Sequence, residues 1–196
     1  MLRRAALVLW ILAAAPACLV VSLQPVYDEE AITWDPALLG TWQSQDDETV
    51  LRIEQDEWRS YRIHYQHPIE SGDLTGYLTS VGDDLYMDVM PARGEDRGAF
   101  VVPVHAVIRV RTSNGRLELT PLSYDWFLDR TAKGAAIPGL SVTLDQKQNT
   151  LITSASAALR RWLAQQPQDG RMFGGTTVFV RRKVEARRLK ESPHLC

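Results

Sequence analysis

From Leu39 onward the chain alternates between apolar and polar positions. Thr49, Leu51 and Ile53 fall on one side of an extended segment, and Val50, Arg52 and Glu54 on the other. In the next segment, Trp58 to Gln66, Tyr61, Ile63 and Tyr65 oppose Arg62, His64 and Gln66. Side chains two apart share one face of a strand, so this period predicts strands half buried against one core. The first strand opens at Gly40-Thr41-Trp42. Others follow at Leu74–Leu78, at Leu85, Met87 and Val89, at Val104–Val110, and around Leu117 and Leu119. Short candidates lie around Val142/Leu144 and Leu151, and a last strand covers Thr176–Arg181. Turn residues separate them. Asn114-Gly115 is the strongest such signal, because both residues tolerate the positive φ that a two-residue hairpin needs.

Two patches carry helical spacing instead. Ser123 is placed to cap a helix over Tyr124–Arg130, with Trp126 and Phe127 available for packing. Ala158, Leu159, Trp162 and Leu163 form an apolar stripe on a second helix, Ser156–Gln166, which turns Arg160, Arg161 and Gln165 outward. The fold class is therefore mainly β, with one or two helices. Eight or nine strands joined mostly by short turns should pair in sequence order. Such a meander hides its edges by closing, so an antiparallel up-and-down barrel is expected, with a β-sandwich as the alternative.

Composition adds boundaries. The 196 residues suit one domain, and the hydrophobic fraction of 45% and charged fraction of 23% are ordinary for a globular chain. A net charge of −2 gives no general affinity for nucleic acid. Cys18 and Cys196 build no disulfide framework.

The N-terminus points to export. Arg3 and Arg4 precede an uncharged apolar run, Ala5–Ala15, and Ala15-Pro16-Ala17 supplies small residues for a signal peptidase. Cys18 follows at once. This segment resembles the lipobox of bacterial lipoproteins, with Ala15 where that family usually has Leu. The resemblance implies a signal peptide over 1–17, lipidation of Cys18 and a lipid-attached tether over 18–37. The β-rich domain then covers 38–183 and a basic tail 184–196. Two other readings stay open. An ordinary peptidase would release a soluble protein, and an uncut Ala5–Leu23, 19 residues without a charge, is long enough to span a bilayer. All three place the domain outside the cytoplasm, and the first puts it on a bacterial cell membrane or outer membrane.

Gly40 and Trp42 begin the first strand as G-x-W, and a late helix precedes the last strand. In this the domain resembles lipocalin-like barrels, and the resemblance implies that Trp42 plugs the barrel floor.

Few residues promise chemistry. His64 and His67 lie three apart, on opposite faces of a regular strand, and read as surface residues. If Val104, Ala106, Ile108 and Val110 form the core face, His105 faces solvent or lines an opening. No nucleophile elbow appears, and Asp46-Asp47 and Asp83-Asp84 suit turns. No catalytic residue, metal ligand or cofactor is assigned.

The expected function is a membrane-anchored binding or interaction module. Trp42, Tyr61, Ile63, Met87 and Ile108 are candidates to line the barrel core or a site for a small apolar ligand, with Leu51, Ile53, Leu85 and Leu117 beside them. The alternative is a structural envelope protein with a protein partner, and a third reading is an envelope hydrolase. Arg181, Arg182, Lys183, Arg187, Arg188 and Lys190 also offer a basic tail to anionic lipid.

Overall fold

The computed structural model describes residues 19–92, 102–145, 149–167 and 170–182. Cys18, Cys196 and the tail from Lys183 lie outside the described residues. The elements in chain order are β1 (Val21–Ser22), β2 (Ile32–Thr33), β3 (Gly40–Ser44), β4 (Val50–Gln55), β5 (Ser60–His67), β6 (Glu70–Val81), β7 (Asp84–Pro91), β8 (His105–Ser113) and β9 (Arg116–Pro121). Then come α1 (Tyr124–Ala132), β10 (Val142–Leu144), β11 (Thr150–Ile152), α2 (Ser156–Ala164) and β12 (Thr177–Arg181).

Strands β3 to β9 pair antiparallel in sequence order, and β12 closes the ring by pairing with both β9 and β3. The result is a closed eight-stranded up-and-down barrel, consistent with a lipocalin-like architecture, rather than a sandwich. Closure removes the free edges that an open meander would leave. Asn114 (φ 48°) and Gly115 (φ 75°) form the β8–β9 turn with positive φ at both positions, as their side chains allow.

Inside the barrel, Leu51, Ile53, Tyr61, Ile63, Leu78, Met87, Val89, Ala106, Val110, Leu117 and Phe179 pack with Trp42 and Leu38. A second core covers the outer face of β7 and β8. There Tyr86 and Val107 meet Val20 and Val26 from the N-terminal segment, Phe127 from α1 and Leu159, Trp162 and Leu163 from α2. Ser123 caps α1 by accepting from the Trp126 N–H at 3.3 Å.

Three expectations change. Within the 18–37 segment read as a tether, residues 20–37 are packed on the barrel rather than strung out from it. Val20, Val26 and Ile32 are buried, β1 pairs with β8 and β11, and β2 pairs with β6. His105 is not open to solvent. Its face of β8 is the floor of the second core, so it is buried along with Val107 and Arg109. Arg160 does not simply face out. Its guanidinium donates to Val26 O (2.9 Å), Thr79 Oγ1 (3.1 Å) and Ser80 O (2.9 Å), which pins α2 and the N-terminal segment to β6. Among the described residues, no helix is long and apolar enough to cross a membrane.

Candidate functional site

One end of the barrel is closed from below by the chain that enters it. Trp34 stacks on Tyr61, with centroids 4.4 Å apart and planes 13° from parallel. The Tyr61 hydroxyl accepts from the Asp35 N–H at 2.7 Å, and burial raises its pKa above the usual tyrosine value. The chain then makes a short 3-10 turn, Pro36–Leu38, capped by the Asp35 carboxylate. It brings the Leu38 carbonyl to the Trp42 indole N–H, 2.8 Å away. Trp42 is fully buried at this floor, with the Arg181 guanidinium 4.2 Å from its ring. Gly40, at φ +128°, is where the chain turns upward, and a Cβ there would sit 2.5 Å from Arg181 Nη1. The sequence needs glycine at this point for both conformation and space.

Above this floor the interior holds an apolar recess of about 80 Å³. Its walls include Ile63, Met87 and Ile108, three of the five residues singled out from the sequence. Trp42 and Tyr61 belong to the same apolar cluster without lining the recess. Leu51, Ile53 and Leu117, named beside the candidates, also line it; Leu38, Leu74, Val89, Val110 and Leu119 complete the walls and were not among the candidates. Alternation in their strands was the available signal for four of them. Leu38 precedes the first strand and carried none. The recess presents hydrocarbon alone, so only apolar matter is stabilised there. An apolar cavity of about 150 Å³ takes up benzene. A recess about half that size fits the tip of an aliphatic chain, not a whole lipid.

The outer core contains a polar pair. Asp88 is fully buried, its Oδ1 lies 2.6 Å from His105 Nδ1, and its Oδ2 accepts the Val26 N–H at 2.6 Å. Tyr27 packs against Tyr77 and edge-on to His105, and burial raises its pKa. The carboxylate–imidazole arrangement resembles part of a hydrolytic triad, but the hydroxyl of the residue paired with His105 is otherwise engaged. Ser22 pairs opposite His105, and its Oγ donates to Gln24 O at 2.7 Å. The geometry is that of a clasp holding the N-terminal segment on the barrel.

On the exposed face of β4–β6, His64 stands between Asp73 and Glu54, with Nε2 3.4 Å from Glu54 Oε2. The hydrogen bond from Arg52 holds the Glu54 carboxyl below its usual pKa. His67 accepts from the Ile69 N–H in the hairpin beyond. Among the described residues, no group of three His, Cys, Asp or Glu side chains is placed to hold a metal ion.

No protein-family model matches the chain. No curated protein and no solved structure matches it either. Its function is therefore argued from the barrel, the recess and the N-terminal segment themselves.

Proposed function

We propose that this chain is an exported envelope lipoprotein, anchored through Cys18, whose barrel is a binding module for the apolar end of a small ligand. The observation that carries the ligand reading is the recess. It sits inside a closed barrel, above a rigid aromatic floor, and has walls with no polar group to satisfy. A pocket with preformed apolar walls binds by excluding water, at about 0.8 kcal/mol for each methylene it covers.

The anchor reading gains a consequence from the packed N-terminal segment. Val20 is buried only two residues after Cys18. Two residues reach about 7 Å. An acylated Cys18 would therefore hold the barrel against the bilayer, within reach of lipid-derived chains. More than one acyl chain is needed for stable attachment, and the basic tail would add about 1 kcal/mol per charge on an anionic surface.

A second reading, an interaction protein with a protein partner, is favoured by two bare apolar side chains. Ile69 is 87% exposed at the β5–β6 turn and Val102 69% exposed before β8. Crosslinking in intact cells that repeatedly recovers one protein through Ile69 would favour it over the ligand module.

Fatty-acid labelling in a bacterial host tests the anchor. Wild-type protein should incorporate label and stay with membranes. Cys18→Ser should fold normally, lose all label, and either accumulate as precursor or appear as soluble protein. Unlabelled wild type that nevertheless stays in the membrane fraction would overturn the lipid anchor in favour of an uncut Ala5–Leu23 span.

A further inference from the structure

At the floor end of the barrel, outside the recess, lies an open groove of about 500 Å³. Its walls are Ile32, Thr33 and Trp34 from the segment that crosses the floor, and Gln55, Trp58 and Arg59 from the β4–β5 hairpin. Trp58 is unusual in two ways. The residue is 62% exposed, and its backbone adopts φ 53°. The left-handed conformation disfavours bulky side chains, and an exposed indole forfeits the burial that normally stabilises one. The hairpin does not need the ring to form. Its turn closes through backbone bonds, with the Ser60 N–H donating to Glu57 and the Asp56 N–H to Ser60. Glycine or asparagine would meet the backbone requirement better. Within the domain the ring gains only the neighbouring Arg59 guanidinium, 5.6 Å from its centroid, against the cost of its backbone conformation and exposure, and strain of this kind clusters at sites.

The surroundings define what the ring would meet. Arg59 Nη1 donates to the Ile32 carbonyl at 3.1 Å, which fixes the hairpin to β2, and its guanidinium carbon is 5.6 Å from the Trp58 centroid. The guanidinium fork has five N–H donors, and the Ile32 bond uses one of them. Gln55 brings an amide that both donates and accepts, and Thr33 a hydroxyl. Trp34 is held flat against Tyr61, so the groove has a stiff aromatic base and a single bare ring at its rim.

We propose that this groove is a saccharide-binding site. A pyranose ring would stack its C–H face on Trp58, and its hydroxyls would pair with Gln55, Arg59 and Thr33. The alternation of one apolar face with planar, multidentate polar groups matches the alternation of a sugar ring. A polyproline segment is the rival occupant of an aromatic groove, but it docks between aromatic ridges. Here Trp34 lies stacked on Tyr61 at the base of the groove, and Trp58 alone of the two lining indoles is bare. The groove is separate from the apolar recess, since no residue lines both.

The experiment titrates the full chain with soluble oligomers of glucose, of N-acetylglucosamine and of a uronic acid, followed in the wild type by the Trp58 indole N–H resonance and in every variant by titration calorimetry. At least one oligomer should shift that resonance saturably. Trp58→Gly should weaken its binding at least tenfold while leaving the melting temperature unchanged or raised, a combination that loss of folding cannot produce. Trp58→Tyr should retain part of the affinity, and Ile69→Ala, at the other end of the barrel, all of it. The proposal is overturned if no oligomer moves the resonance up to its solubility, or if Trp58→Gly binds as well as wild type. It is overturned equally if a proline-rich peptide saturates the site and no oligomer does.

Discussion

Arg181 on the last strand lies over the ring of Trp42 on the first, its guanidinium carbon 4.2 Å from the indole centroid. The same guanidinium donates to the carbonyls of Ala37 and Leu39, so one side chain joins β12, β3 and the segment that crosses the floor. Hydrogen bonds from a charged donor contribute about 1.5–3 kcal/mol and an exposed cation–π pair about 0.5–1 kcal/mol. Arg181 is itself exposed, so water replaces part of this. Arg181→Ala should cost about 1–3 kcal/mol in urea denaturation. Lysine should recover only part, because an ammonium cannot serve a ring and two carbonyls at once.

Gly40→Ala should cost about 1–3 kcal/mol through backbone strain, plus whatever is lost as Arg181 moves aside. A double-mutant cycle separates the two. With Arg181→Ala already present, the penalty at Gly40 should shrink without vanishing, since φ +128° remains unsuited to a side chain. Full additivity would mean that the close approach of Arg181 is not maintained in solution.

Asp88→Asn replaces a carboxylate that accepts from both Val26 and His105. An amide cannot accept at both oxygen positions, so one buried partner is left unsatisfied, at about 1–3 kcal/mol. Hydrogen exchange at the Val26 amide should accelerate, while Ile63 in the barrel wall stays protected. Equal acceleration at both sites would mean that the N-terminal segment is not a separate clasp.

Alkali should unfold the domain through its buried tyrosines. Burial pushes Tyr86 up to about 12 and raises Tyr27 and Tyr61 in the same direction. A raised folded-state pKa means that the native protein keeps a proton which the unfolded chain has already lost. Stability is therefore fully present below pH ~10, the unfolded tyrosine value, and falls as pH rises towards 12. Tyr86→Phe should flatten that decline. Ultraviolet titration should show fewer late-ionising tyrosines in the variant than in wild type.

The barrel was legible because its strands keep a strict two-residue period and its hairpins carry their own turn residues. The outer core was not. In β8, His105, Val107 and Arg109 read as the polar face of a half-buried strand, yet that face is covered by α1, α2 and Val20–Val26. Burial on both faces depends on elements outside the strand, from nearby α1 to the distant α2 and Val20–Val26, and local periodicity cannot report it. Residues 19–37 failed as a pattern for the same reason. Their contacts alternate between Asp88, Arg160, Tyr61 and β6, so no single period runs through them. The recess walls were half legible, since strand alternation marks inward positions but cannot say which of them leave space between them.

Binding of a series of n-alkanols of increasing chain length, followed through the methyl resonances of Ile63, Met87 and Ile108, tests the binding module most directly. Affinity should rise about fourfold per added methylene while the recess fills, then level off within a few carbons. Val110→Leu, which occupies part of that space, should bring the plateau to a shorter chain at undiminished stability. Methyl resonances that stay fixed across the series, or a loss of stability in Val110→Leu with no change in binding, would contradict the account.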